Sequence, residues 1–242
     1  MNALLLLAFA VSPAQAWEVK TSSDGDPLHW VELPVPYAIN PINPQGLDEK
    51  EVVVAVRRAF QAWEAVDDGA VQFQYMGMTD VSQFGYEDSA NVVYFEDSWP
   101  ADWDPELLAM SLTWNIDGGE IIAQDIAINT KHTWRIGLGD GYDLQNAITH
   151  EVGHAIGLAH SEDTVATMFG SSGAGDLEKR DLAADDEDAV RFLYRGMLPD
   201  QGQVLSCSSA GRPGTIAPLA SIFFAGMIAF RRRGRRADSM RA

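Results

Sequence analysis

The stretch "AITHEVGHAIGLAHSEDTVATMFG", residues 147–170, decides how this chain is read. It places His150, His154 and His160, three of the five histidines, within eleven positions, with Glu151 beside the first and Met168 eight residues after the last. On a helix, positions four apart are turned only about 40° from one another and lie about 6 Å apart along the axis. His150 and His154 therefore face the same way, and both can present an imidazole nitrogen at about 2.0–2.1 Å from one Zn²⁺. Glu151 falls one step round the helix, where it flanks the metal, in reach of a water, without ligating it. His160 would lie about 15 Å beyond His150 if the helix ran on, so the helix must break. Gly157 is the residue able to turn it, because glycine accepts positive φ at low cost. The competing reading is an apolar helix carrying isolated histidines; His160, Gly157 and Met168 together weigh against it.

The chemistry follows from charge. Zn²⁺ with three neutral histidines lowers the pKa of a water toward about 7, and Glu151 is placed to accept its proton as the water attacks a carbonyl carbon. The same metal polarises the carbonyl oxygen, and Glu151 can return the proton to the leaving amine. Hydrolysis without a covalent intermediate is expected, with one catalytic Zn²⁺.

Outward from this stretch, the pattern is that of an α+β domain. "VPYAIN" alternates like a strand, and "NPINPQGLDEKE" supplies turn residues and a helix cap. Val52, Val56, Ala59, Phe60 and Trp63 then recur on one face of a helix expected over about 48–66. Strand-like runs follow at "VQFQYM", "NVVYFED", "LAMSLTWN" and "EIIAQDIAIN", separated by Gly-, Asp-, Ser- and Pro-rich loops. A second helix is expected over about 144–157 and a third over "ADDEDAVRFLY".

The sequence "HEVGHAIGLAH" followed by Met168 resembles the metzincin zinc-binding signature with its Met-turn. Within that clan the similarity is to the matrixins, because Ser161 follows the last histidine and "ATMFG" has the family's small, apolar, Met, aromatic order. "VPYAIN", "AVRRAFQAWEAV", "VQFQYM", "NVVYFED" and "LAADDEDAVRFLYRG" extend the resemblance over about residues 33–196. It implies a zincin-like fold, with a mixed twisted sheet of about five strands, three main helices and a zinc cleft between sub-domains. It also implies a zinc endopeptidase with His150, His154 and His160 as ligands, Glu151 as general base and Met168 as an apolar floor. The run Leu108–Trp114, with Ala109, Met110 and Ser111, is then the edge strand that binds an extended peptide. The segment from Glu162 to Phe169 would wall the specificity pocket, with Phe169 as pocket lining or plain core. Two departures stand out. Only His29 and His132 remain to build a second, structural zinc site, so none is expected. No cysteine precedes the domain to hold a latent form. Calcium is a candidate ligand of the acidic loop residues Asp117 and Glu120, or of Asp125.

Of 242 residues, 46% are hydrophobic and 21% charged, the balance of a chain with a real core. The net charge is −18, yet residues 231–242 hold six arginines and one aspartate, which leaves 11 basic against 34 acidic side chains before them. A surface this acidic excludes nucleic acid as a partner. Residues 1–16 read as a secretory signal ending in Ala14-Gln15-Ala16, so an exported protein is expected, with a catalytic domain over 17–196. Residues 197–214 read as a linker containing Cys207. Residues 215–236 read as an apolar anchor followed by an arginine cluster that keeps this end cytoplasmic. That order resembles the C-terminal sorting signals of bacterial surface proteins, especially the myxobacterial type with a cysteine before the helix. It implies membrane attachment through the helix, or processing or lipidation at Cys207. The single cysteine rules out an intramolecular disulfide, and a monomer is expected. The alternative to a protease is a non-catalytic, zinc-containing surface module for adhesion or peptide binding; an intact Glu151 weighs against it.

Overall fold

The computed structural model describes residues 15–85 and 91–196. The chain divides into two units, Met1–Ser206 and Cys207–Ala242, and all that follows lies in the first. The expected signal sequence as far as residue 14, Cys207 and the apolar C-terminal run fall outside the described residues. Among the described residues, no helix is long and apolar enough to cross a membrane.

Five strands form a sheet: β1 (Val35–Ile39), β2 (Phe73–Met78), β3 (Val92–Glu96), β4 (Ala109–Asn115) and β5 (Ile121–Asn129), in the order β2-β1-β3-β5-β4. All pairings are parallel except β4 with β5, which are antiparallel with Ser111 opposite Ile126. The sheet is therefore mixed, and β4 lies at its edge. β3 reads Val-Val-Tyr-Phe-Glu and is buried on both faces, as a strand flanked by parallel neighbours requires.

Helix α1 (Glu49–Glu64) starts where Asp48 accepts hydrogen bonds from the Lys50 and Glu51 amides. Its buried face is Val52, Val56, Ala59, Phe60 and Trp63, the periodic set read from sequence, joined by Ala55. Phe60 stacks on Tyr37 of β1 with ring centroids 3.8 Å apart. Trp63 donates its indole N–H to the Thr149 carbonyl at 2.8 Å, which ties α1 to helix α2 (Leu144–Ala155). Helix α3 (Ala184–Arg195) ends at Gly196, with φ 63°. The expected helix boundaries are met within one or two residues. Two short strands, β6 (Trp134–Arg135) and β7 (Tyr142–Asp143), pair in parallel and lead into α2; they are too short to carry a periodic signal.

The N-terminal segment 17–30 has no counterpart in the sequence reading. It closes the C-terminal end of α2, whose last carbonyls have no partner within the helix. Trp30 donates its indole N–H to the Ala155 carbonyl at 2.9 Å, and the Tyr194 hydroxyl donates to Ile156 at 2.9 Å. The Lys20 amide donates to Gly157 at 2.7 Å. Trp17 is buried against Phe192 of α3, with its amide 3.2 Å from an Asp185 carboxylate oxygen.

Candidate active site

Helix α2 opens with Asp143, whose carboxylate accepts the Asn146 amide at 2.9 Å and caps the helix. The same buried carboxylate takes a two-pronged contact from Arg180, with N–O distances of 2.8 and 2.6 Å, and a third bond from the Gly137 amide. About two turns beyond Asp143, His150 and His154 project from the same face. The chain leaves the helix at Gly157, where φ is 102° and any Cβ would collide with the Leu28 carbonyl. This turn brings back His160. The three rings lie 4.8 to 5.2 Å apart between centroids, and one nitrogen from each lies within 4.8 Å of the others. Among the described residues no other group of three His, Cys, Asp or Glu could hold a metal.

The donor set fits zinc. The Nδ1 atoms of His150 and His154 lie 2.7 Å from the Thr167 carbonyl and 2.8 Å from the Leu158 carbonyl. Each Nδ1 therefore carries the proton, and Nε2 offers its lone pair. Burial holds His150 well below the ordinary imidazole range and His154 down at about 3, with neighbouring His and Lys charges contributing. His160 is also lowered, mainly by burial. Three neutral imidazoles suit a divalent ion.

Beneath them lies Met168, 2% exposed. A Cβ on Gly153 would run into its sulfur and approach Trp63 Cζ2 at 2.7 Å, so the glycine of "HEVGH" lets the helix settle onto both. The turn is held by Asp186, which is fully buried. Its carboxylate accepts the Thr167 amide at 2.8 Å, the Met168 amide at 2.9 Å and the Ala183 amide at 2.8 Å.

Glu151 is only 7% exposed. Burial raises its carboxyl to about 7, against the opposing influence of Lys20, a hydrogen bond from the Ser111 backbone and Lys179. A cavity of about 440 Å³ opens in front of it, between β4 and the chain that follows the Met168 turn. Ala109, Met110 and Ser111 line it together with His150, Glu151, His154 and His160.

Phe169 does not line the cavity, and neither does the rest of the segment from Glu162. The far wall is instead Gly170, Ser171, Ser172 and Lys179, because the Phe169 carbonyl is turned to accept the Lys179 ammonium group. Lys20 and Lys179 also line the site and were missed in the sequence, since a lysine outside any motif reads as solvated surface. Burial lowers Lys20, and lowers Lys179 to about 8. His29 and His132 bond to the carbonyls of Pro27 and Leu107 and do not join the three-histidine group. Asp125 is buried and accepts the Val92 and Gly85 amides at 2.8 and 3.0 Å. Among the described residues, Asp117, Glu120 and Asp125 are not part of any cluster of three or more His, Cys, Asp or Glu side chains gathered around one point.

A mixed sheet with an open edge strand, above a helix whose two histidines meet a third across a glycine turn and a buried methionine, defines a metalloprotein of the zincin type. The family model described as Matrixin matches residues 29–195, and the chain belongs to that family. Its relatives include neutrophil collagenase of Homo sapiens, 28% identical over 169 residues, which make up 68% of this chain and 33% of that protein. Matrix metalloproteinase-18 of Xenopus laevis is 28% identical over 165 residues, 68% of this chain and 33% of that protein. Matrilysin of Homo sapiens is 32% identical over 98 residues, 40% of this chain and 35% of that protein. The chain thus spans about a third of the length of these relatives.

Proposed function

We propose that this chain is a zinc-dependent endopeptidase that hydrolyses peptide bonds of extracellular or surface proteins. The observation that carries the reading is the gathering of His150, His154 and His160 around one point, with the buried Glu151 beside it and the edge strand β4 across the cavity. His150, His154 and His160 would hold the ion, and zinc bound there supplies a Lewis acid that acidifies water and polarises a carbonyl oxygen. Glu151 accepts the proton of the attacking water and passes it to the leaving amine, a role suited to a carboxyl raised to about 7. The strand β4 offers backbone groups at Ala109–Ser111 to a peptide lying alongside as an added strand. Met168 keeps the floor of the site apolar and dry.

Cleavage of a denatured protein by the purified domain tests this. Wild-type activity is expected to vanish with a chelator and return with zinc, and Glu151→Ala is expected to lose about 10²–10⁴-fold in kcat while still binding zinc. Cleavage that ignores the chelator or the substitution overturns the reading. Zinc binding without any cleavage favours the adhesion or peptide-binding module. Calcium is assigned no role in the reaction; a rise in melting temperature on adding it would reveal a stabilising site. The protein is proposed to act outside the cytoplasm as a monomer, delivered by residues 1–16 and held or sorted by residues 197–242. Mass spectrometry of both mature ends checks this: a C-terminus near Cys207 marks processing, and one at Ala242 refutes it.

A further inference from the structure

We propose that Lys179 makes the pocket beside His150 select an acidic side chain, glutamate or aspartate, from the bound peptide. The inference rests on the endopeptidase reading above and adds its substrate preference.

Lys179 lies in the turn Glu178–Arg180 and is fixed from several sides. Its amide donates to Asn146 Oδ1 of α2 at 2.8 Å, and its carbonyl accepts from the Thr167 hydroxyl at 3.5 Å. The next residue, Arg180, is locked onto the buried Asp143. The ammonium group donates to the Phe169 carbonyl and lies 3.4 Å from His150 Nδ1. That nitrogen already gives its proton to the Thr167 carbonyl, so it has no lone pair to accept with. An ammonium has three donors, and among the described residues the Phe169 carbonyl is its one protein acceptor.

Among the described residues, no carboxylate pairs with Lys179 within salt-bridge distance. The acidic groups that act on it are Asp186, Glu151 and Asp176. Asp186 is fully engaged by three amides, and Asp176 accepts the Gly173 amide. Glu151 belongs to the reacting centre. A half-buried cation without a counter-ion is costly, and here it borders a cavity open to ligand. Ala147, Gly170, Ser171 and Ser172 are small, so this end of the cavity has room for a side chain that reaches the ammonium. An apolar side chain would cover the charge and leave it unpaired. A carboxylate would complete it with charge-assisted hydrogen bonds, and a glutamine would do so more weakly.

The test profiles cleavage sites in a proteome-derived peptide library with the zinc-loaded full chain, comparing wild type, Lys179→Met, Lys179→Arg and Lys179→Glu. Wild type is expected to favour Glu or Asp at one position next to the scissile bond, by about tenfold or more over Leu in kcat/KM. Lys179→Arg should keep that preference. Lys179→Met should lose it while still cleaving peptides with Leu there, and Lys179→Glu should turn it toward Lys and Arg. Apolar preference in wild type, or unchanged acidic preference in Lys179→Met, overturns the inference and leaves the endopeptidase reading standing. If wild type cleaves nothing, the endopeptidase reading falls, and calorimetric binding of a Glu peptide against its Gln counterpart decides the pocket. Tighter binding of the Glu peptide by wild type, lost in Lys179→Met, supports it; equal binding by wild type overturns it. Circular dichroism shows whether each variant is folded, and Lys179→Arg carries the comparison if Lys179→Met is not.

Discussion

At the scale of single residues, the site depends on groups that never touch the metal. Asp186 satisfies three amides at the Met168 turn and the start of α3, while burial works to raise its pKa and those bonds to lower it. Asp186→Asn turns one oxygen into a donor facing an amide, and a destabilisation of about 1–3 kcal/mol is expected by urea unfolding. Zinc affinity should fall with it, because Thr167 carries the carbonyl that orients His150. Gly157 is more constrained still. Its φ of 102° and its contact with the Leu28 backbone leave no space for a methyl group. Gly157→Ala is expected to cost about 2 kcal/mol or more and to displace His160, so thermal melting and zinc titration should both report it. The histidines, Glu151 and Gly157 were legible in the sequence because each follows from helical spacing and from glycine's freedom. Asp186 was not, since its three partners come from two segments, Thr167–Met168 and Ala183, that lie 15 or more positions apart in the chain.

At the scale of elements, α2 is held at both ends by other parts of the chain. Asp143 caps its start and carries Arg180, with Arg135 at 3.6 Å. Removing this buried carboxylate strands two cations, so Asp143→Ala is expected to cost about 3–5 kcal/mol. Replacing Arg180 with Met as well should recover part of that loss, which a double-mutant cycle by chemical unfolding would measure. At its other end the N-terminal segment takes up carbonyls that the helix cannot satisfy. The helices and long strands were readable from periodicity. The N-terminal strap was not, because its hydrogen bonds run to distant partners, and β6 and β7 were not, because two residues each are too few to show a repeating pattern.

At the scale of the whole molecule, three neutral histidines in a protein of net charge −18 link folding to pH and metal. Their folded pKa values are depressed below the ordinary value of 6.5, so the unfolded chain binds protons that the metal-free fold refuses. The histidines' contribution to the stability of the metal-free protein is therefore complete above about pH 6.5 and declines as pH falls toward the folded values, about 3 for His154. Calorimetric melting of the chelated protein between pH 7.5 and 5 should show the melting temperature falling. Added zinc should raise it at pH 7.5, by binding the folded state alone, and much less at pH 5, where protons compete for the imidazoles.

The sequence by itself determined the three-histidine centre with its glutamate, the break at Gly157 and the α+β order, because these depend on spacing along one helix and on local backbone freedom. Only the tertiary structure decided that Asp186 anchors the Met168 turn, that residues 17–30 close α2 and that the far pocket wall runs through Gly170–Ser172 to Lys179. Those outcomes depend on which distant groups must share hydrogen bonds once water is removed. No local pattern in the chain encodes that choice.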